Sequence, residues 1–110
     1  MQQNQFILRQ GTSDVLDLFP HVREFCLRKN NTIQLESFIP EKTTTLNLYF
    51  IVEGRFEWTI DQEYYSLFPG DVAVVLPGQE VGGAKGHQDI GTYFFLELMV
   101  EKKSPDGRMA

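Results

Sequence analysis

The sequence has few of the residues that bind metals or form covalent cross-links. Its 110 residues include one cysteine, Cys26, and two histidines, His21 and His87, which lie far apart in the chain. A single cysteine cannot form an internal disulfide, and a zinc site needs three or four His, Cys, Asp or Glu donors at one place. Cys26 is therefore interpreted as a buried structural thiol, since cysteine is among the most buried residue types.

Long apolar runs are also missing. No segment approaches the roughly 18 apolar residues that a membrane-spanning helix requires. Residues 1–5 lack the basic and then apolar pattern of a secretory signal. From these two features we expect a cytoplasmic protein.

Basic residues are in the minority. Ten lysines and arginines are outnumbered by 15 aspartates and glutamates, which gives a formal net charge of −5. Binding to the phosphate backbone of a nucleic acid needs clustered Lys and Arg, whereas the basic residues here are scattered. We therefore expect no contact between this chain and DNA.

Apolar and aromatic residues are present in the amounts that one domain needs. With 42% hydrophobic and 13% aromatic residues, 1–110 is predicted to form a single domain with its core at about 22–101. β-branched and aromatic residues, separated by glycine and proline, predict strands. The predicted strands are 46–52, 56–60, 64–67, 72–76 and 90–100. The run 72–76 is continuously apolar, which is typical of a strand buried on both faces.

The remaining segments are less regular. The apolar spacing of 14–19 predicts a short helix. Residues 22–29 and 33–36 are predicted to pair as a hairpin, and residues 6–8 as a short strand or arm. The glycine-rich segment 79–89 is expected to be a mobile loop. The fold class predicted from these elements is an all-β barrel or double-sheet jelly roll with a short N-terminal helix.

Glycine and proline positions in the central part resemble the two motifs of the cupin superfamily. Gly54 ends an aromatic strand, Gly70 and Gly78 follow at the family's spacing, and Leu76 occupies the family's usual proline position, with Pro77 next to it. The resemblance implies a cupin-like jelly roll, or double-stranded β-barrel. Asn47 and Val81 stand at two of the four positions where that family binds a metal, and residues 40–43 contain no histidine for the other two. We therefore expect no metal and no cofactor.

Segments 48–54 and 64–72 resemble in particular the N-terminal effector domain of AraC-type bacterial transcription regulators, and the likeness extends over about 43–100. It implies a small-molecule-sensing and dimerisation domain, whose effector is often a sugar, and hence a homodimer. In that family a separate C-terminal domain with two helix-turn-helix units binds DNA. Its helices do not follow before Ala110, so we expect this chain to be a fragment that lacks it.

Two alternatives stay open beside the regulator. One is a small metal-independent cupin enzyme that acts on a sugar-like substrate, and the other is a structural or partner-binding barrel. No nucleophile motif is recognised, since Cys26 has no evident histidine partner in the sequence. We therefore predict no catalytic residue.

Candidate effector-binding residues come from strand alternation and from the resemblance. Alternation places Asn47, Tyr49 and Ile51 on one face, and the ligand position at Asn47 implies that this face points into the barrel. Aromatic rings with polar groups suit a sugar or another amphipathic effector. The predicted set is Asn47, Tyr49, Ile51, Trp58, Val81, Tyr93 and Phe95. Simple core packing is the competing interpretation of Trp58 and Phe95.

Overall fold

The computed structural model describes residues 3–9, 11, 20–33, 35–36 and 38–99. The described residues form the strands β1 (Gln3–Arg9), β2 (Val22–Asn30), β3 (Glu41–Lys42), β4 (Leu46–Gly54), β5 (Phe56–Ile60), β6 (Glu63–Leu67), β7 (Val72–Val75), β8 (Glu80–Gly83) and β9 (Gly91–Leu98). The predicted helix at 14–19 lies outside the described residues. Within the described ranges, no helix is long and apolar enough to span a bilayer.

The strands form two antiparallel sheets. A five-stranded sheet has the order β1-β2-β9-β4-β7, and a four-stranded sheet has the order β3-β8-β5-β6. Side chains from both sheets meet in one core, which consists of Tyr49, Ile51, Phe56, Trp58, Leu67, Ala73, Val75, Val81 and Tyr93. The molecule is therefore a β-sandwich, and β9 occupies the centre of the larger sheet between β2 and β4.

Alternation along β4 decides which side chains enter the core. Asn47, Tyr49 and Ile51 are buried, whereas Leu48 and Phe50 point to the other side of the sheet. Gly54 then reverses the chain into β5 with a φ of 91°. A Cβ at this glycine would lie 2.6 Å from the Ile90 carbonyl oxygen, so both the turn and the close contact require glycine.

The predicted hairpin between 22–29 and 33–36 is wrong. β2 pairs instead with β1 on one side and with β9 on the other. Asn30, which the sequence suggested as a turn residue, is buried, and its Nδ2 donates to the Asp89 carbonyl oxygen at 3.3 Å. Pairing along two long strands satisfies more of the backbone and buries more of the apolar face than a local hairpin does.

The prediction of a mobile loop over 79–89 is also wrong in part, because β8 lies inside it and pairs with β3 and β5. A Cβ on Gly82 would lie 2.5 Å from the Pro40 Cα, and one on Gly83 would lie 2.0 Å from the His87 carbonyl oxygen. These two glycines therefore allow close backbone approach, and flexibility is not their main role.

The apolar run 72–76 forms β7, which pairs with β4 alone at the edge of the five-stranded sheet. Ala73 and Val75 are buried, but Val72 and Val74 are 51% and 49% exposed. The prediction of a strand buried on both faces is therefore wrong. One face of β7 packs on the core, while the other belongs to an apolar surface of the sheet.

Candidate functional site

Three neighbouring strands of the five-stranded sheet bring their inward side chains to one cavity. The register places Cys26 opposite Phe95 and Arg28 opposite Tyr93, and Phe95 in turn lies opposite Tyr49. These side chains, with Phe38 and Gln88 from connecting segments, line a cavity of about 240 Å³ that is partly open to solvent and is called the interior cavity. Its lining residues are Glu24, Cys26, Arg28, Phe38, Tyr49, Gln88, Tyr93 and Phe95.

Aromatic rings form one wall of the interior cavity. The ring centroids of Tyr49 and Phe95 are 4.9 Å apart. Trp58, which is fully buried, contacts the Tyr49 and Tyr93 rings edge-on at 4.8 and 5.5 Å. Edge-to-face packing of this kind fixes the ring planes. The wall is therefore held in place by contacts among the protein's own rings.

Two phenol groups supply polar atoms to this wall. Burial raises the pKa of Tyr49, and the negative charge of Glu97 raises it further. Burial likewise raises the pKa of Tyr93, although the Arg28 charge and a hydrogen bond from Gln88 act in the opposite direction. Both phenols are therefore protonated at neutral pH and can donate hydrogen bonds.

The polar groups of the interior cavity are incompletely paired. Gln88 Nε2 donates to the Tyr93 hydroxyl at 3.2 Å. However, Gln88 Oε1, Arg28 Nε and Trp58 Nε1 are buried and have no hydrogen-bond partner among the described residues. More than about 90% of buried polar groups in folded proteins are paired. Two of these three atoms belong to cavity-lining residues, so the cavity offers unsatisfied hydrogen-bonding groups to a ligand.

Cys26 and Glu24 complete the lining on the side of β2. Burial raises the pKa of the Cys26 thiol to about 11, and the nearby Arg28 charge offsets only part of this effect. The thiol is therefore neutral at physiological pH and is a poor nucleophile. Glu24 Oε1 forms an ion pair with Arg9 Nε at 3.1 Å.

The predicted candidate residues divide into two groups. Tyr49, Tyr93 and Phe95 line the interior cavity together. Ile51, Trp58 and Val81 are buried in the core outside the lining, and Trp58 lies directly behind the aromatic wall. Asn47 is also buried and lies outside the lining.

Asn47 belongs to a hydrogen-bonded network at one end of the barrel. Its Nδ2 donates to Thr43 Oγ1 at 3.1 Å, and its Oδ1 accepts from Thr45 Oγ1 at 3.0 Å. The same Thr45 hydroxyl lies 2.7 Å from Glu97 Oε2. Both polar atoms of the Asn47 amide therefore have protein partners.

Sequence reasoning missed five residues of the lining. They are Glu24, Cys26, Arg28, Phe38 and Gln88. The period-two spacing of 24, 26 and 28 was a usable signal, since it places these three side chains on one face of a strand. Assigning β2 to a local hairpin concealed that this face lies against the barrel interior.

Two larger clefts lie at the surface. One of about 480 Å³ is lined in part by Arg55, Glu57, His87 and Asp89, and another of about 420 Å³ lies beside β6 and β7. In the first cleft, Arg55 is ion-paired with Glu57, and Asp89 Oδ2 accepts the Glu57 backbone N–H at 2.9 Å. Arg55, Glu57 and Asp89 therefore have structural partners, whereas the smaller interior cavity has an aromatic wall and buried polar atoms without partners among the described residues, so it is the better candidate for a binding site.

Comparison with solved structures identifies the architecture. The chain is similar to a cupin superfamily protein from Desulfitobacterium hafniense, with a TM-score of 0.61 and 22% identity over 89% of this chain and 78% of that one. A conserved protein of unknown function from Streptococcus pyogenes gives a TM-score of 0.66 with 18% identity, over 92% of this chain and 77% of that chain. The fold is a cupin fold.

A predicted oxalate decarboxylase from Thermotoga maritima has the same fold, with a TM-score of 0.60 and 10% identity over 91% of this chain and 94% of that one. No model of a known protein family matches the sequence, and no curated protein does. At these identities the likeness establishes the cupin fold alone.

The residues at the cupin metal positions do not fit a metal ion. Val81 is apolar and buried in the core, and the Asn47 amide is engaged by two threonines. Across the residues that the structure describes, no group of three or more His, Cys, Asp or Glu side chains is placed to hold a metal. The donor set that transition metals require is therefore not assembled at these positions.

Proposed function

We propose that this cupin fold is a metal-free, non-catalytic sensor domain that binds a small-molecule effector in its interior cavity and forms a homodimer. The observation that carries the proposal is the interior cavity itself. It combines an aromatic wall with buried polar atoms that have no partners in the described part of the chain. Such apolar surface with a few convergent polar groups is typical of small-molecule sites.

The dimensions of the interior cavity favour a compact effector. Its volume of about 240 Å³ lies below the range of about 300–1,000 Å³ that is usual for sites of drug-sized ligands. A monosaccharide or a small aromatic compound matches this size class. One ring face would stack on Tyr49 and Phe95, while the Tyr93 hydroxyl and Gln88 fix its orientation.

The strand geometry supports a sensing role. In β2, β4 and β9, residues that line the interior cavity alternate with residues on the opposite side of the same sheet. A ligand that shifts one of these strands therefore displaces both faces together. Such a shift is the type of change that can alter association with another subunit or domain.

We further propose that this domain serves an AraC-type transcription regulator, with DNA bound through a separate helix-turn-helix domain. The motif resemblance over 43–100 supports this assignment, and the net charge of −5 is consistent with DNA contact through another part of the regulator. The assignment predicts that the natural gene encodes two basic helix-turn-helix units after Ala110. A natural stop codon at that point would contradict it.

Trp58 provides the direct test of effector binding. It is the one tryptophan in the sequence, and it contacts both tyrosines of the cavity wall. We expect a saturable change in its fluorescence when a panel of pentoses, hexoses and small carboxylic acids is titrated. Ligand recovered unchanged after long incubation would support a sensor, whereas product formation would support an enzyme.

A matched pair of variants at one position supplies the control. Cys26→Met extends into the interior cavity and should abolish the fluorescence response, while Cys26→Ser keeps the cavity open and should preserve it. Urea unfolding of both variants establishes that each is folded. A response that survives in Cys26→Met, or a panel with no responding member, would contradict binding in this cavity.

A further inference from the structure

Arg28 places a cation in the interior cavity without a matching anion. Its side chain is half-buried, and its Nε is buried without a hydrogen-bond partner among the described residues. The ion pairs that the described residues form involve Arg9, Arg23 and Arg55, and none involves Arg28. Removing a guanidinium from water is costly unless an anion or several acceptors replace the water.

The nearest carboxylate of the lining is already engaged. Glu24 lies on the same face of β2 as Arg28, but its Oε1 is paired with Arg9. Arg28 interacts instead with the phenol oxygen of Tyr93, which is a neutral group. The charge of Arg28 therefore remains available to a ligand in the interior cavity.

Resting on the proposed function, we propose that the effector is a small carboxylic acid whose carboxylate pairs with the Arg28 guanidinium. The planar guanidinium fork matches the geometry of a carboxylate and can donate two parallel hydrogen bonds to it. The hydrocarbon or sugar ring stacks on Tyr49 and Phe95. Gln88 Oε1, a buried acceptor without a partner in the described part of the chain, receives a hydroxyl or amino hydrogen from the same ligand.

Pairs of probes that share one ring and differ in whether they carry a carboxylate provide the test. Benzoate is compared with benzamide, and galacturonate with galactose, by titration of Trp58 fluorescence in the wild-type chain. We expect at least one acid to bind tenfold or more tightly than its neutral counterpart. Raising the ionic strength should weaken binding of the acid and leave binding of the neutral probe unchanged.

Variants of Arg28 assign that preference to one side chain. Arg28→Gln should weaken binding of the acid at least tenfold and leave binding of the neutral probe unchanged. Arg28→Lys should retain part of the preference for the acid over the neutral probe, because it keeps the charge. Equal binding of acid and neutral probes would overturn this inference and leave the proposed function standing. Absence of any response in the wild-type chain would overturn both.

A different observation concerns the opposite side of the five-stranded sheet. Its register aligns apolar side chains in rows that run across the strands. We call this surface the outer apolar face, and it consists of Leu8, Phe25, Leu27, Leu46, Leu48, Phe50, Val72, Val74, Phe94, Leu96 and Leu98. One row crosses all five strands, from Leu8 through Leu48 to Val74.

Three of the eleven residues of the outer apolar face are exposed, and the other eight are half-buried. Phe50, Val72 and Val74 are 37%, 51% and 49% exposed, respectively. In an antiparallel sheet with one face in water, that face is normally polar. Contiguous exposed apolar surface usually marks an interaction site.

We infer that a second copy of this chain covers the outer apolar face by sheet-on-sheet packing. Five strands about 4.8 Å apart, with segments of about 13–20 Å, give a footprint of about 400 Å² on each copy, so the two copies bury about 800 Å² together, which is the size of a weak, concentration-dependent interface. The eleven residues of the face are uncharged, and the charged side chains Lys29 and Glu53 lie at its edge, beside Thr92. The apolar centre offers little to a partner recognised by charge, and two acidic copies can meet there with their charges kept at the edge.

Sedimentation of single variants tests this inference. The wild-type chain should sediment as a dimer, and Phe50→Asp should raise the dimer dissociation constant at least a hundredfold. Tyr64→Asp is the matched control, because this exposed aromatic residue lies on the four-stranded sheet. Circular dichroism and Trp58 fluorescence establish that each variant is folded. A monomeric wild-type chain, or a dimer unaffected by Phe50→Asp, would overturn the inference.

Discussion

The two faces of the five-stranded sheet both depart from the usual distribution of polar and apolar residues. The inner face carries Arg28, Tyr49 and Tyr93 into a cavity, whereas the outer face is apolar and partly open to solvent. Both arrangements cost free energy in an isolated chain, since unpaired buried polar groups and exposed apolar surface are each unfavourable. A ligand inside and a second subunit outside would remove the two costs, so the faces are best understood as two binding surfaces of one sheet.

The largest expected effect compares the outer face with the core on which the inner face packs, where Trp58 of β5 lies. Trp58→Ala should lower the free energy of unfolding by about 3–5 kcal/mol, because it leaves a cavity beneath the aromatic wall. Phe50→Ala, on the outer apolar face, should cost less than half as much when urea unfolding is measured at a concentration where the chain is monomeric. Equal losses for the two variants would show that the outer face is packed as tightly as the core.

The polar network at the end of the inner face should give the next largest effect. Asn47→Ala removes one of the hydrogen-bond partners of Thr43 Oγ1 and one of those of Thr45 Oγ1, so we expect a loss of about 1–3 kcal/mol in the free energy of unfolding. Asn31→Ala is the control, because Asn31 is exposed. A loss below 0.5 kcal/mol, on the order of an ordinary surface substitution, would show that the network adds little stability.

Strand positions were more predictable from the sequence than strand partners. The predicted strands 46–52, 56–60, 64–67, 72–76 and 90–100 are confirmed as β4, β5, β6, β7 and β9, because local alternation and turn residues determine them. The two-sheet jelly-roll architecture is confirmed with them. The partner of β2 was not predictable in this way, because its partners in β9 lie 61 to 76 residues away in the sequence, a separation that local turn signals do not report.

The candidate site was predictable only where it lies on a confirmed strand. Tyr49, Tyr93 and Phe95 were found from the alternation of β4 and β9. Arg28 and Gln88 were missed, because their place in the interior cavity depends on long-range pairing of β2 and on the close approach that Gly83 allows next to His87. A charged residue within a short apolar alternation is normally assigned to the solvent side of a strand. The sequence pattern therefore did not indicate Arg28 as a residue of the cavity.

The stability of the protein at alkaline pH gives a third comparison of the two faces. Titratable groups with raised pKa values, Cys26 among them, lie on the inner face. The folded pKa of Cys26 is raised from 9.0 to about 11, so the unfolded chain loses this proton at lower pH than the folded chain does. Stability should therefore be constant below pH 9 and fall between pH 9 and 11. Cys26→Ala should reduce the slope of this fall in urea unfolding series, and the residual slope belongs to the buried tyrosines. An unchanged slope would show that the thiol is not coupled to folding.

The smallest expected effect comes from two adjacent valines of β7 that point to opposite faces. Val74 is half-exposed on the outer apolar face, and Val75 is fully buried in the core. Replacing Val74 by threonine should change the free energy of unfolding of the monomer by less than about 0.5 kcal/mol, since the new hydroxyl remains hydrated there.

Val75→Thr is the isosteric control for that substitution, and it should cost about 1–3 kcal/mol because its hydroxyl enters the apolar core. The two variants differ in shape and chemistry from the wild type in the same way, so their difference measures the environment of each face alone. If the outer apolar face is covered in the dimer, Val74→Thr should also become costly as the protein concentration rises, because a hydroxyl is then buried in the interface. If the free energy of unfolding lost in Val74→Thr stays small at every protein concentration, the outer apolar face is in contact with solvent. There would then be no reason to place a second subunit on it.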